Sequence, residues 1–286
     1  MNGIIIINKP IKNTSHDIVY KIKKIVKEKV GHTGTLDPMA EGVLPILVGE
    51  ATKCSKYLIN HDKTYIVELE LGKRTDTLDS EGKVLEEKQV DSNILEKENV
   101  ESVLNTFLGE QKQIPPMYSA IKVKGKKLYE YARKGENVEI APRNITIYDI
   151  QLLDVDIKEK KILFEVSCSK GTYIRSLCED IAKKLGTIGY MTKLKRTKVG
   201  DFKIEDSVSI EEFEKNPTKY IIPLEKIFKE NESISLTDKK LELFLNGVKL
   251  KENKQDGVYK IYNNNLFIGT GTVKEKILKR DIIIKE

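Results

Sequence analysis

The chain of 286 residues is poor in cysteine and histidine, with three of each. The cysteines are an odd number without a C-x-x-C spacing, which argues against a disulfide framework or a zinc knuckle. They are therefore predicted to be small buried residues, at Cys54, Cys168 and Cys178. The histidines are too scattered along the sequence to form a metal cluster, at His16, His32 and His61. We expect any catalysis to be metal-free.

The sequence also lacks a long apolar run. No segment approaches the roughly 18 apolar residues that a transmembrane helix needs. The run Ile4–Ile7 is too short and wrongly flanked for a signal peptide. Internal repeats and low-complexity tracts are absent from the sequence as well. We therefore expect a cytoplasmic protein without membrane contact.

What the sequence does contain is ordinary for a soluble globular protein, with 39% hydrophobic and 33% charged residues. At about 150 residues per domain, this length fits one large domain, or a large domain and a small one. The pattern changes near Ile234, where short β-prone pieces separated by Asn and Gly turns begin. This change predicts a small β-rich region after that point.

Basic residues are unevenly distributed. The net charge of +6, from 50 Lys and Arg against 44 Asp and Glu, is only a weak sign of a polyanionic partner. Three segments are richest in lysine and arginine: 21–29, 122–127 and 193–198. The first is best interpreted as the solvated face of a helix. The other two lie beside glycine and aromatic residues, which favours contact with a phosphate backbone.

The polar stretch Gly31–Gly42, GHTGTLDPMAEG, contains one aspartate, Asp37, followed by Pro38. Taken alone, an Asp-Pro pair in a glycine-rich segment is more typical of a solvated turn. The alternative is an active-site loop, because glycine allows close backbone approach to a ligand while proline fixes φ. Such a loop would present a single carboxylate.

A second shaped segment runs from Ser169 through a glycine turn into a helix. Apolar residues repeat at helical spacing from Ile174 until Gly186, and Arg175 falls in the first turn. A cation is unfavourable at that end of a helix dipole, so an acidic group is expected nearby. Asp37 is a candidate for this partner.

The segment Lys122–Gly135, KVKGKKLYEYARKG, interleaves six basic residues with Tyr129 and Tyr131. This mixture suits RNA, because aromatic faces stack on bases while Lys and Arg neutralise phosphates. An ordinary solvated helix is the alternative interpretation.

Elsewhere, apolar periodicity predicts alternating strands and helices. Thr14 and Asp17 form a capping box before a helix, and Tyr65 lies on the buried face of an alternating strand. Residues 72–82 are predicted to be a polar loop, because the first and twelfth positions of a calcium loop would not be carboxylates. Further strands are predicted at 3–8, 43–48, 145–153, 162–168, 194–202, 257–262, 266–270 and 282–284, and further helices at 51–58 and 94–108.

Six blocks of sequence follow one another between residues 3 and 204. They are GIIIINKP with Thr14–Ser15, GHTGTLDPMAEGVLPILVGEATK, KTYIVELELGKRTDTLDSEG, IPPMYSAIKVKGKKLYEYARKG, SCSKGTYIRSL and LKRTKVGDF. In this order they resemble the bacterial TruB-type tRNA pseudouridine synthases, which isomerise uridine 55 in the T loop of tRNA. No single block would suffice for this identification, but six in order are very specific.

The resemblance implies an α/β (α+β) pseudouridine synthase fold, in which helices flank a central mixed, mainly antiparallel sheet. It implies a catalytic domain at 1–229, with an RNA-binding insertion at about 122–143, and a small PUA-like RNA-binding domain at 230–286, where the match is weaker. The reaction detaches uracil from N1 and rejoins it through C5, so no cofactor is expected. The expected partner is the T stem-loop of tRNA, bound by a monomer without guide RNA or membrane.

The resemblance also implies roles for individual residues. Asp37 is the expected nucleophile or, in a glycal route, the base at ribose C2′. Arg175 is expected to aim Asp37 through a bidentate pair, and Tyr65 to stack on the flipped uracil and assist late removal of the C5 proton. His32 is expected to pack against the displaced T loop. The other expected site and RNA-binding residues are Lys53, Asp79, Lys122, Lys126, Lys127, Tyr129, Arg133, Leu194 and Arg196.

The alternative function is that of a noncatalytic chaperone, which would bind and fold tRNA with the same basic and aromatic surface. The presence of both Asp37 and Arg175 argues against it, because binding alone needs no buried acid.

Overall fold

The computed structural model of the protein describes residues 1–136 and 138–284. The predicted insertion and the predicted C-terminal domain each include positions outside these ranges, namely Asn137 and residues 285–286. Within the described ranges, no helix is both long enough and apolar enough to cross a membrane.

Strands and helices alternate along the described chain. The strands are β1 (Gly3–Lys9), β2 (Val30–His32), β3 (Glu41–Val48), β4 (Lys63–Leu71), β5 (Lys73–Thr75), β6 (Val84–Glu87), β7 (Gly109–Gln113), β8 (Lys122–Val123), β9 (Lys126–Lys127), β10 (Arg143–Asp156), β11 (Lys161–Cys168), β12 (Gly189–Val199), β13 (Phe202–Lys203), β14 (Ser233–Ser235), β15 (Leu250–Lys251), β16 (Gly257–Asn263), β17 (Leu266–Lys274) and β18 (Ile277–Ile283). The α-helices are α1 (Ser15–Val26), α2 (Ser55–Leu58), α3 (Lys97–Asn105), α4 (Leu128–Ala132), α5 (Ile174–Lys184), α6 (Ile210–Lys215), α7 (Leu224–Ile227) and α8 (Asp238–Leu245). Short 3₁₀ turns lie at Gly49–Cys54, Ser92–Leu95, Ile204–Asp206 and Pro217–Tyr220.

A central sheet joins nine of these strands in the order β1-β3-β12-β4-β11-β10-β7, with β2 beside β3 and β13 beside β12. Every pair is antiparallel except β3 and β12, which run parallel over two residue pairs, Glu41 with Lys195 and Gly42 with Arg196. At Gly42, φ is +110° and a Cβ would lie 2.2 Å from the Arg196 carbonyl oxygen, so only glycine fits this contact. The predicted mixed, mainly antiparallel sheet is confirmed.

The helices bury the two faces of this sheet unequally. On β4, alternation places Tyr65, Val67 and Leu69 on the face that α3 and α5 cover. The strands β1 and β3 are covered on both faces, by α1 and α6 on one and by α2, α7 and the C-terminal strands on the other. This double burial explains why β1 is a continuous run of isoleucines instead of an alternating pattern.

The C-terminal strands form a separate five-stranded sheet in the order β14-β16-β17-β18-β15. Its own core surrounds Phe244 of α8, while Ile282 packs against the first sheet. Strands β17 and β18 are longer than predicted because the turn between them is Glu275–Lys276, with φ of +52° and +62°. Turns of this type usually carry Asn or Gly, so the sequence does not reveal the hairpin.

Several local predictions are confirmed. The capping box forms at the start of α1, where the Asp17 carboxylate accepts a hydrogen bond from the Thr14 amide at 2.8 Å. The thiols of Cys54, Cys168 and Cys178 are free and buried.

Three other predictions are confirmed only in part. Residues 72–82 are not a loop throughout, because β5 pairs with β6 as a hairpin. The helix predicted at 94–108 is interrupted at Glu96, whose ψ is 133°, since Asp91 caps a separate short turn before it. The strand predicted at 194–202 begins at Gly189 and ends at Val199, after which Gly200, with φ +54°, turns the chain into β13.

Candidate active site

The polar stretch Gly31–Gly42 connects β2 to β3, and its backbone is fixed from outside. The Ser15 hydroxyl at the start of α1 accepts a hydrogen bond from the Leu36 amide (2.8 Å) and donates one to the Leu36 carbonyl (3.2 Å). The Ala40 amide donates to the Asp37 carbonyl (3.0 Å) and closes the turn. The segment is therefore a shaped loop that presents Asp37, whose side chain is 35% exposed.

Lys9 holds this loop from below and is a residue that the sequence analysis missed. It is completely buried at the end of β1. Its ammonium donates to the carbonyls of Asn13 (2.7 Å), Pro10 (3.0 Å) and Pro38 (3.4 Å). Burial lowers the pKa of Lys9 to about 8, against an opposing effect of the Asp37 charge. The only signal in the sequence is a lysine that directly follows an apolar strand and precedes a proline.

Arg175 lies in the first turn of α5 and connects four segments of the chain. Its Nη2 is 3.1 Å from Asp37 Oδ2, and its Nη1 is 3.3 Å from Asp79 Oδ2. It also donates hydrogen bonds to the carbonyls of Thr77 and Tyr118, both at 3.1 Å. The cation is thus compensated as expected, but the expected bidentate pair is wrong: one guanidinium is shared between two carboxylates.

Asp79 is the buried member of this network, with a side chain that is 5% exposed. Its carboxylate accepts hydrogen bonds from the Thr77 hydroxyl (2.6 Å) and the Glu81 amide (3.1 Å). Burial raises the pKa of Asp79, and these hydrogen bonds and Arg175 oppose that rise. Asp79 therefore pairs with Arg175 on its buried side, while Asp37 is the more exposed of the two carboxylates.

Arg196 is not on the surface, as the prediction of an RNA contact requires, but is 1% exposed. Its guanidinium donates to the carbonyls of Val43 (2.7 Å), Gly34 (3.1 Å) and Thr35 (3.4 Å). It is buried because β12 pairs with β3 directly beneath the Gly31–Gly42 loop. Arg196 therefore shapes that loop from inside the protein.

Tyr65 of β4 lies beside Arg196 of β12. Tyr65 is 8% exposed. Burial raises the pKa of Tyr65, and the neighbouring Arg196 charge opposes this effect. The phenol is therefore neutral at physiological pH, with a cation next to its oxygen.

These side chains meet at one cavity of about 870 Å³, a size within the usual range for ligand sites. Its walls include the predicted residues Asp37, Tyr65, Tyr129, Arg175, Leu194 and Arg196. Three further cations line it that the sequence analysis did not assign to the site: Lys63, Arg143 and Lys170. Lys63 shares the buried face of β4 with Tyr65, so its position in the alternating pattern could have indicated it.

His32 and Lys53 are two of the seven predicted residues that lie outside this cavity lining. His32 is half-buried on β2, and burial lowers the pKa of its imidazole. Among the described residues, nothing makes a hydrogen bond to its Nδ1. Lys53 is 55% exposed and pairs with Glu50. Their contacts with RNA remain predictions.

The basic segment 122–135 is a small hairpin of β8 and β9 followed by α4, so it is neither a plain loop nor one solvated helix. The Lys127 ammonium and the Arg133 guanidinium both lie 5.3 Å from the centre of the Tyr129 ring. Lys126 lies 5.9 Å from the Tyr131 ring, and Lys122 is exposed. Tyr129 lines the cavity, so this segment lies beside the site.

The arrangement can present one carboxylate, aimed by a buried cation, to a ligand that lies against an aromatic ring. In the described part of the chain, no three His, Cys, Asp or Glu side chains lie close enough together to hold a metal ion.

Comparison with known proteins identifies relatives over the whole length. Residues 22–174 match the family model described as TruB family pseudouridylate synthase (N terminal domain). Residues 175–229 match the tRNA pseudouridylate synthase B C-terminal domain. The tRNA pseudouridine synthase B of Clostridium tetani is 49% identical over 279 residues, covering 95% of both chains. That of Aquifex aeolicus is 41% identical over 283 residues, covering 97% of this chain and 98% of its own.

Solved structures show the same fold. A crystal structure of a Cbf5-Nop10-Gar1 complex matches with a TM-score of 0.67 and 26% identity, over 99% of this chain and 84% of that one. The structure of an H/ACA RNP bound to a substrate RNA containing 2′-deoxyuridine matches with a TM-score of 0.69 and 24% identity, over 99% and 85% of the two chains.

Proposed function

The chain belongs to the TruB family of pseudouridylate synthases, and from this premise we propose that it converts uridine 55 in the T loop of tRNA to pseudouridine. Family membership makes it an isomerase with the pseudouridine synthase fold that acts on uridine in tRNA. The T loop and position 55 are the specific parts of the proposal.

One observation carries the proposal: the Asp37 carboxylate stands on the cavity wall, 3.1 Å from a buried arginine, in the same cavity as the Tyr65 ring. The reaction breaks the bond between N1 and C1′, forms one between C5 and C1′, and moves the C5 proton to solvent while N1 gains one. Asp37 acts on the ribose, either by attack at C1′ or by taking the C2′ proton. Arg175 holds the carboxylate in place for either route.

Tyr65 provides the surface on which the detached uracil can turn without leaving. We propose that its phenol, with the Arg196 charge nearby, assists the late removal of the C5 proton. Leu194 adds an apolar wall to the same cavity. A base must leave its stack to reach this cavity, which costs a few kcal/mol and calls for compensating contacts around the site. The cations and tyrosines of the segment 122–135 are suited to supply them.

The test uses a T-arm stem-loop with tritium at C5 of the target uridine. Tritium enters water only when C5 loses its proton, so the wild-type protein is expected to release it. We expect Asp37→Asn to abolish release and to keep the RNA dissociation constant within about tenfold, because the cationic contacts remain. Asp154→Asn, on the exposed part of β10, is the matched control and should release tritium normally.

Two results would contradict the proposal. Tight RNA binding by the wild-type protein without tritium release would favour the noncatalytic chaperone. A loss of several orders of magnitude in affinity for Asp37→Asn would make that residue structural.

We further propose that the protein acts in the cytoplasm as a monomer without guide RNA. A basic and aromatic segment of its own beside the cavity supports recognition by the protein alone. Residues 1–229 are the proposed catalytic domain with its insertion at about 122–143, and 230–286 the proposed PUA-like RNA-binding domain. Tritium release by purified protein, from the stem-loop alone, tests independence from guide RNA.

A further inference from the structure

Lys63, at the start of β4, is a cation on the cavity wall without a carboxylate partner among the described residues. It is 9% exposed, and its ammonium donates to the backbone carbonyls of Ile59 (3.4 Å) and His61. No carboxylate oxygen of the described chain lies within 4 Å of it. The adjacent Asp62 is exposed, and its carboxylate accepts a hydrogen bond from Tyr148 at 3.3 Å. A buried charge is costly without an opposite charge, so an anion bound in the cavity beside Lys63 would be stabilised by it.

The surroundings of Lys63 make this side of the cavity strongly positive. Burial lowers the pKa of Lys63, and the charges of Arg196 and Lys170 add to the effect, against opposition from Cys168 and Asp62. Lys170 and Arg143 line the same cavity, and in the described chain neither forms an ion pair. Among the described residues, the Lys170 ammonium donates only to the neutral side chain of Asn60, at 2.8 Å. On the Asp37 side, by contrast, two carboxylates compensate Arg175.

The position of Lys63 relative to Tyr65 indicates which anion would fit beside it. The two residues are two apart on β4, so their side chains leave the same face about 6.6 Å apart along the strand. This separation is comparable to that between a pyrimidine ring and the phosphate of its own nucleotide. A uracil against Tyr65 therefore brings a backbone phosphate close to Lys63.

We propose that Lys63 binds a phosphodiester group of the substrate strand beside the flipped uridine, with Lys170 as the second cation of the same site. The proposal rests on the proposed function, because it takes RNA as the ligand of this cavity. Lys63 thereby binds the substrate and fixes the nucleotide over Tyr65. It also holds the segment Ile59–His61 through its backbone carbonyls.

The experiment measures the affinity of full-length protein for T-arm stem-loops that each carry one neutral methylphosphonate linkage near the target uridine. For the wild-type protein, one linkage should weaken binding on the order of tenfold, since a charge-assisted contact is lost. Lys63→Met should bind the unmodified RNA about equally weakly, and neutralising that linkage should have no further effect. The slope of log affinity against log salt should fall by about 0.7 for a single-stranded contact.

Two further variants separate binding from structure. Lys63→Arg keeps the charge and should keep the sensitivity to that linkage. Lys183→Met removes an exposed lysine on α5 that pairs with Glu179, away from this cavity, and should behave as the wild-type protein.

The proposal is overturned if Lys63→Met binds RNA weakly but is as sensitive as the wild-type protein to each neutral linkage. Lys63 then only holds the segment Ile59–His61 in place. The proposal is also overturned if no linkage matters in the wild-type protein. Affinity is measured without turnover, so a protein that shows the Lys63-dependent linkage effect but releases no tritium would disprove the isomerase proposal alone. Tritium release without the linkage effect would disprove this proposal alone.

Discussion

Two basic segments that look alike in the sequence contain cations in opposite environments. In the segment 193–198, Arg196 is buried and its guanidinium holds three carbonyls of the catalytic loop and β3. In the segment 122–135, Lys126 and Arg133 are exposed and lie over tyrosine rings. A buried cation shapes the backbone, whereas an exposed one is free to contact a ligand. Substitutions in the two environments should therefore change different measurable quantities.

The largest effect is expected for Arg175→Met, which removes a buried cation. Without the guanidinium, Asp37 loses the group that aims it and Asp79 is left as a buried carboxylate without a cation. We expect kcat for tritium release to fall by about 10² to 10³, with the RNA dissociation constant changed less than about tenfold. Tritium release at saturating RNA measures kcat, and a binding titration measures the dissociation constant. If the variant loses RNA affinity and keeps kcat, Arg175 acts like the exposed cations, by contacting RNA.

Arg196→Met should reduce stability most clearly. It leaves the carbonyls of Val43, Gly34 and Thr35 without their donor, and we expect the free energy of unfolding to fall by about 3 kcal/mol. Urea denaturation at neutral pH measures this change. Lys198→Met, an exposed residue on the same strand, is the control and should stay within about 0.5 kcal/mol of the wild-type protein. Equal stability of both variants would remove the distinction between buried and exposed cations.

Lys9 is another buried cation, and it should make the free energy of unfolding depend on pH. Its folded pKa, lowered to about 8, lies below the value of about 10.4 in the unfolded chain. Between these values the unfolded chain binds more protons, so this residue makes stability rise with pH. From about pH 7.5 to 9.5, the free energy of unfolding should rise by about 2 kcal/mol more in the wild-type protein than in Lys9→Met. Parallel pH profiles of the two proteins would contradict this expectation.

The smallest effects are expected for the exposed cations. Lys126→Met and Arg133→Met should each weaken RNA binding several-fold and reduce the salt slope by about 0.7 to 0.9 per lost phosphate contact. Stability should change by less than about 0.5 kcal/mol, and kcat at saturating RNA should be unchanged. Fluorescence anisotropy titrations at several salt concentrations measure this. A fall in kcat without a change in affinity would show that the segment shapes the active site instead.

The elements that local sequence encodes were predictable. Alternation on β4 and the capping box at Thr14 follow from contacts within a few residues, and both are confirmed. The approach of Arg175 to a carboxylate was predictable as well, because a cation at a helix start needs compensation.

The burial of particular cations was not predictable, since it depends on strands that are distant in sequence. Arg196 is buried only because β12 meets β3, and Lys9 only because the Gly31–Gly42 loop folds back over it. Asp79 pairs with Arg175 although its loop lies about a hundred residues earlier in the chain. No local pattern encodes this pairing.

Folding must bring Glu41 and Lys195 together across about 150 residues of intervening chain, and this stretch of the sheet gains only two residue pairs there. Contacts of such long sequence separation slow the folding of a chain as a whole. Strand β12 lies between β3 and β4, so it joins the two walls of the cavity that Asp37 and Tyr65 represent. The cavity therefore requires that the chain has been synthesised at least as far as the Arg196 segment.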